Sequence, residues 1–367
     1  MKEITASRKD VYWKEDPRGF FTIKPFIEEG LIKVRYYQNH KLKYLIVGKT
    51  PEELYYKITS QGLVSRLEHA AYLGKELEKA YLALKYTLQY VQDDPLDITK
   101  IASSLIQQRR IVSLAPSNTE ILYALGLGKN IIATTRFCDY PAGAKKKQKV
   151  GGWIDVDLVQ VKKLNADLVL TSTFVQDKVV QEAKKYNINI VHVDPKSIEE
   201  VYESIRILGE LTYKQSEAGQ LVGKIKKEFT EIQKKVILGK KPRVYIEEWH
   251  QPPHVSGNWV PELVEMAGGE YTLCKKGHVS KPITLKEVER YNPEIIILSL
   301  CGFGNKAKAE MILKRPGWEN IDAVKKKRVY VIDDSLLNRP GPRLVEGLKF
   351  LVKRINEFKK IKKQELK

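Results

Sequence analysis

The sequence predicts an α/β protein of two Rossmann-like lobes joined by one long helix and preceded by a small α+β domain. Three observations carry this reading. From Arg110 onward, the short apolar runs IVSLA, NIIATT, ADLVLTS and INIVHVD alternate with helical patterns, as expected of parallel strands covered by helices on both faces. The alternation resumes after residue 241 with RVYIEEW, PEIIILSL and RVYVID. Between the two series lies one amphipathic, proline-free stretch from Gln215 to Leu238. Two such sheets with facing open ends enclose a cleft, where α/β folds hold their ligands.

The elements follow in order from local signals. Residues 1–94 read as the small α+β domain. In it FFTIKPFI and LIKVRYYQ are β-rich runs joined at Glu28-Glu29-Gly30, a hairpin signal with glycine at the turn. KLKYLIV is a third strand ending at Gly48. Thr50-Pro51-Glu52-Glu53 reads as a capping box with proline at the first helical position. The helix RLEHAAYLGKELEKAYLALKYTLQYVQ brings Leu67, Leu73, Leu77, Leu84, Leu88 and Val91 near one stripe, and DDPLD stops it. Residues 95–109 read as a partly helical linker, 110–214 as lobe 1, 215–240 as the inter-lobe helix, 241–357 as lobe 2, and 358–367 as a basic tail.

Composition narrows the function classes. With 43% hydrophobic and 30% charged residues the 367-residue chain is globular. No run approaches the roughly 18–20 apolar residues needed to span a bilayer. The opening MKEITASRKDVYWKEDPRGFF lacks the apolar core of a signal peptide, so a cytoplasmic location is expected. Cys138, Cys274 and Cys301 have no short-range pairing, which argues against a disulfide framework or structural zinc. The net charge of +19 invites a nucleic-acid reading. The lysines, however, are spread among glutamates, and the clusters Lys145–Lys147, Lys325–Arg328 and KKIKKQELK are short, so a solvated surface and no nucleic-acid partner are expected. Richness in Lys, Glu, Ile and Tyr also fits a thermophile.

The candidate site residues lie at strand ends. In RIVSLAPSNTEILYALG a strand ends at Ala115-Pro116, and Ser117 reads as a helix N-cap with Glu120 three residues on. The amides of Ser117, Asn118 and Thr119 then point into the cleft, suited to a polar or anionic group. The same segment resembles the opening of the class III solute-binding proteins, the cobalamin and iron-siderophore receptors of ABC importers. Cys138-Asp139-Tyr140-Pro141, Val150-Gly151-Gly152-Trp153, VYIEEWHQPPHVSGNWVPELVEMAGGE and RPGWENIDAVKKKRVYVIDDSLLNRPGPRLVEGLKFL resemble further family stretches in the same order. The resemblance covers roughly 110–357 and is closest to unsecreted members labelled cobalamin-binding. It implies the class III periplasmic-binding-protein fold and a non-catalytic, intracellular binder of a corrinoid or related metal-tetrapyrrole or iron chelate. An enzyme acting on a corrinoid or pterin-type ligand and the substrate-binding component of an ABC importer, with its permease as partner, stay open. The chain has no phosphate loop of the form GxxxxGK[ST].

A cobalamin-like or haem-like ligand is a flat apolar disc with amide or carboxylate arms, which calls for aromatic faces and polar donors. Tyr140 and Trp153 in lobe 1, with Trp249 and Trp259 in lobe 2, can supply faces, and the resemblance adds Pro116 and Phe303. Arg339, in a loop stiffened by Pro340 and Pro342, can hold a propionate, phosphate or amide arm. Ser335 and Leu336 stand where the periplasmic cobalamin receptor has aspartate and tryptophan. His254, and less so His250, is a candidate ligand for a cobalt or iron centre, while His192 reads as core. The family docks on its transporter through one acidic residue per lobe. Asp177 and Glu310 fall near those helices without being assigned the role. The N-terminal unit resembles a small archaeal and cyanobacterial domain found beside pterin-binding modules, through Asp16-Pro17-Arg18-Gly19-Phe20-Phe21, Asn39-His40-Lys41 and GLVSRLEHAAYLGKELEKA. Gly62, Arg66, Glu68, His69 and Gly74 concentrate polar and small groups there, as a helix start or as a small anionic or pterin-like ligand site.

Overall fold

The computed structural model describes residues 10–13, 16–26, 31–38, 41–60, 77, 109–188, 190–212 and 214–365. The chain divides into two compact units, Met1–Leu105 and Ile106–Lys367.

In the first unit four antiparallel strands pair in chain order: β1 (Asp10–Trp13), β2 (Asp16–Phe26), β3 (Leu31–Gln38) and β4 (Lys41–Gly48). Period-two alternation buries Ile32 and Val34, and Val34 lies opposite the buried Ile46. Helix α1 (Pro51–Ser60) adds Leu54 and Ile58 to the buried set. The expected capping box at its start forms by half. Thr50 Oγ1 accepts from the Glu53 amide at 3.2 Å, but the Glu53 carboxylate takes the Lys49 amide at 2.9 Å rather than that of Thr50. The Glu28-Glu29-Gly30 turn, the long helix over 66–92 apart from the buried Leu77, and the Gly62–Gly74 polar group lie outside the described residues.

Lobe 1 of the second unit runs β5 (Ile111–Ser113), α2 (Pro116–Ala124), β6 (Ile131–Thr134), α3 (Ala142–Lys145), β7 (Gln148–Lys149), α4 (Leu158–Lys163), β8 (Leu168–Ser172), α5 (Asp177–Ala183), β9 (Ile190–Val193) and α6 (Ile198–Leu211). Its sheet, ordered β7-β6-β5-β8-β9, is parallel throughout. Every residue of β5 and β8 is buried, as expected of strands covered on both faces.

Helix α7 (Gln215–Gln233) leads to lobe 2 and ends short of the expected Leu238. It buries Ala218, Val222, Ile225, Phe229 and Ile232, one stripe at helical spacing. Lobe 2 runs β10 (Val244–His250), β11 (Pro253–Val255), α8 (Val260–Met266), β12 (Lys281–Pro282), α9 (Leu285–Tyr291), β13 (Ile295–Leu298), α10 (Glu310–Leu313), α11 (Asp322–Lys325), β14 (Val329–Val331) and α12 (Leu344–Glu365). Here the fully parallel expectation fails. β10, β13 and β14 are parallel, but β11 and β12 pair antiparallel, giving the order β12-β11-β10-β13-β14. The turn at Gln251-Pro252 sends the chain straight back, so Trp249 pairs with His254 and His250 with Pro253. The expected basic tail is the end of α12, where Phe358 is buried. α7 packs against α6 of one lobe and α12 of the other. One hydrophobic core passes from Ile121 and Ile205 of lobe 1 through Phe229 to Leu263 and Leu348 of lobe 2.

Candidate functional site

The carboxyl ends of the parallel strands carry most of the expected site residues. Pro116, Ser117 and Asn118 follow β5, Tyr140 follows β6, Trp153 follows β7, Phe303 follows β13 and Arg339 follows β14, while Trp249 is near the end of β10. The two sets of loops touch. Arg339 Nη1 donates to Glu120 Oε1 at 3.0 Å and to Asp139 Oδ1 at 2.7 Å, and Nη2 donates to the Phe137 carbonyl at 3.3 Å. Arg343 grips both oxygens of Glu120, at 2.8 and 2.6 Å, and its guanidinium lies 4.2 Å over the Tyr140 ring. The lobes are thus joined by two arginines of lobe 2 and two carboxylates of lobe 1.

This clamp revises two expectations. Ser117 does not cap α2. The cap is Ala115 in extended conformation, no side chain bonds there, and Pro116 occupies the first turn, where its missing N–H costs nothing. Glu120, expected to close the capping box, is buried at 2% side-chain exposure and held by the arginines instead. Arg339, expected to be open to a ligand arm, has its guanidinium engaged with Glu120, Asp139 and Phe137. Burial opposes charge on Arg339, but the Asp139 and Glu120 carboxylates more than offset it and keep the guanidinium firmly protonated. At Asp139 burial likewise opposes ionisation, and the Arg339 hydrogen bond and charge outweigh it, so its carboxyl titrates below its ordinary value.

The start of α2 closes over a buried polar layer. Asn118 Nδ2 donates to the Thr171 carbonyl at 2.9 Å. Gln176 accepts from the Ser172 amide at 2.8 Å and donates to the carbonyls of Leu114 (2.9 Å) and Trp153 (2.8 Å). Four buried polar atoms here have no hydrogen-bond partner among the described residues: Asn118 Oδ1, Trp153 Nε1, Ser172 Oγ and Thr173 Oγ1. Thr173 sits at φ 65°, a left-handed conformation that costs a β-branched residue strain. Unsatisfied groups and strain gather at functional edges.

In lobe 2, Trp249, His250, Gln251, Leu300 and Phe303 line a concavity of about 270 Å³. Trp249 is 49% and Phe303 41% exposed. A buried network braces this wall from behind. The wholly buried Glu247 accepts from Arg315 at 2.7 and 2.6 Å and from the Tyr245 hydroxyl at 2.8 Å, and its Oε1 lies 3.0 Å from His250 Nδ1. The wall adjoins the clamp, since Asn338 donates to the Ser299 carbonyl at 2.7 Å and Asp334 accepts from the Gly302 and Gly304 amides flanking Phe303.

The remaining candidates are placed as follows. Trp259 is 3% exposed, belongs to the core, and donates to the Leu337 carbonyl at 2.7 Å, so it offers no face to the cleft. Tyr140 is exposed and Trp153 half-buried. His254 lies on β11, with Nδ1 2.7 Å from the Pro252 carbonyl. His192 lies on β9 beside Thr171. Asp177 and Glu310 are exposed first residues of α5 and α10. Not foreseen from the sequence are the pairing of Glu120 with Arg339 and Arg343, that of Asp139 with Arg339, and the place of Gln251 and Leu300 in the wall. Only the close spacing of Arg339 and Arg343 hinted at the clamp.

Residues 111–336 match the family model described as periplasmic binding protein, and residues 15–93 match the PterinBD-DUF4346 model. The chain is 34% identical over 260 residues to the ABC transporter substrate-binding lipoprotein YvrC of Bacillus subtilis, covering 68% of this chain and 80% of that protein. It is 24% identical over 258 residues to the vitamin B12-binding protein of Vibrio parahaemolyticus, covering 69% and 92%. A solved structure from Staphylococcus epidermidis, described as a possible iron-binding, periplasmic solute-binding protein, is 31% identical with a TM-score of 0.57, covering 67% and 98%. A lipoprotein and a periplasmic protein among these relatives overturn the expected cytoplasmic location and point outside the cytoplasm. The match of more than half of the chain to the family model, together with the extended likeness in sequence to these relatives, makes this chain a member of the periplasmic binding protein family.

Proposed function

We propose that the two-lobed unit binds a corrinoid, or a related metal-tetrapyrrole or iron chelate, between its lobes without transforming it, as the substrate-binding component of an ABC importer. The observation that carries this is the exposed pair Trp249 and Phe303 on a braced wall beside the Arg339 clamp. Large aromatic faces left in water at the carboxyl edge of an α/β sheet suit a flat apolar disc. Tyr140 and Trp153 serve as the facing surface in lobe 1, and the buried Pro116 and Asn118 at the start of α2 as the floor beneath it. His254 is the residue that would hold the metal of such a disc. A carbonyl only accepts, so Nδ1 donates its proton to Pro252, and in the neutral ring this leaves the Nε2 lone pair as the one that would ligate. The B12-binding and iron-binding relatives support the ligand class, and the lipoprotein relative supports the importer role.

Titration of the purified chain with hydroxocobalamin, dicyanocobinamide, haem and a ferric siderophore, followed in the visible spectrum, tests the reading. Saturable low-micromolar binding of at least one is expected. Failure of all four would sink it.

A further inference from the structure

Resting on that reading, we propose that Asp139 and Glu120 make the cleft selective for ligands with neutral carboxamide arms over ligands with carboxylate arms. Two observations lead here independently.

The first is charge balance. Arg339 and Arg343 reach from lobe 2 to lobe 1, where Glu120 and Asp139 meet them at 2.6–3.0 Å. Within these hydrogen bonds two positive and two negative charges balance, and the neighbouring charges, Lys149 near Asp139 and Asp333 and Asp334 near the arginines, add no net cation. An arriving carboxylate is a third anion, and Arg339 can take it up only by releasing Asp139. Asp139 is the carboxylate to be displaced, because its side chain is 53% exposed whereas Glu120, at 2%, is held by both arginines. The protein's own aspartate thus occupies the place a propionate would take. A carboxamide brings no charge and asks for no such exchange.

The second observation is the set of unpaired groups at the start of α2. Asn118 is fixed in orientation, since Nδ2 donates to the Thr171 carbonyl and a flipped amide would set oxygen against oxygen. Its Oδ1 is therefore an acceptor without a donor. Trp153 Nε1 is a donor without an acceptor, and the Ser172 and Thr173 hydroxyls can serve either way. The four atoms are buried in this conformation; an arm that reaches them as a carboxamide both donates and accepts. An ionised carboxylate only accepts and leaves Asn118 Oδ1 unanswered.

A corrinoid ring is armed with carboxamides and a haem with propionates, so the pair makes a direct test. The full chain and its Asp139→Asn variant are titrated at neutral pH with dicyanocobinamide and with haem, and circular dichroism and thermal unfolding check that the variant is folded. Glu199→Gln, an exposed change on α6 away from the clamp, controls for net charge. The native chain is expected to bind dicyanocobinamide at least about tenfold more tightly than haem, equivalent to ~1.4 kcal/mol. Asp139→Asn is expected to tighten haem about tenfold and leave dicyanocobinamide unchanged. A native preference for haem, an unaltered ratio in Asp139→Asn, or an equal gain for both ligands would each overturn the inference while leaving the cleft-binding reading in place. Binding of neither ligand to the native chain would overturn that reading, and this inference with it.

Discussion

Trp249 and Trp259 come from one short stretch of sequence and end in opposite environments. Trp249 is half exposed on the wall, whereas Trp259 is sealed in the core with its indole N–H on the Leu337 carbonyl. Replacing Trp249 by alanine removes a contact surface and little packing, so it is expected to weaken ligand binding about tenfold or more with the melting temperature nearly unchanged. Trp259→Ala is expected to cost about 3–5 kcal/mol in denaturant unfolding, through the cavity and the orphaned carbonyl. Asp139 belongs to the same scale. Its carboxyl titrates below its ordinary value in the fold, so its share of stability is present above the unfolded pKa of about 3.9 and is lost as the pH falls through the folded value. Unfolding of the native chain and of Asp139→Asn, compared from pH 7 down to pH 3, is expected to show a gap that closes below about pH 4. The group is more than half exposed, and solvent screening keeps the gap to roughly 1 kcal/mol or less. A gap that widens toward acid would contradict the assignment of Asp139 as the clamp's counter-ion.

At the level of elements, the strands of the second unit were legible because burial on both faces writes itself as short apolar runs, as in β13 and the first three residues of β8. The start of α2 was misread for a physical reason. Ser117 and Glu120 have the spacing of a capping box, but the partners that claim Glu120 lie 219 and 223 positions away, and no local pattern reports them. The antiparallel β11 and β12 escaped because strands of three and two residues carry no periodicity. Trp259 was misplaced because an aromatic after a turn reads alike whether it faces solvent or core. Helix α7, whose stripe was legible, yields a prediction of its own. Gly219 and Gly223 lie on its exposed side, and a methyl group added at either meets no atom within 4 Å. Alanine at each is expected to raise stability by about 0.5–1 kcal/mol, because glycine in a helix interior gives up more backbone freedom on folding. Denaturant unfolding of the double variant checks it, and a loss of stability would mean that this face of α7 is covered.

For the second unit as a whole, the helical connection and the clamp bear on how far the lobes can move. A receptor hinged on flexible strands closes by re-aiming the backbone at a few positions. Here the lobes are linked through α7, whose buried stripe packs on α6 and α12 at once, within a core shared by both lobes. Opening by rotation would part that packing as well as the arginine–carboxylate pairs, and close-packed cores do not deform continuously. Ligand entry is therefore expected to need rearrangement of the loops at the strand ends, with little movement of the lobes. Spin labels at Lys178→Cys and Lys314→Cys, exposed positions in lobes 1 and 2, report the separation in a chain whose half-buried Cys301 is replaced by serine. The mean distance between labels is expected to shift by less than about 2 Å on saturation with dicyanocobinamide, and a contraction of many ångströms would show that α7 bends as a hinge. Repeating the measurement in Asp139→Asn separates the two restraints. If α7 sets the geometry, the distance stays put without the aspartate, and the clamp then governs which arms the cleft accepts rather than how far the lobes stand apart.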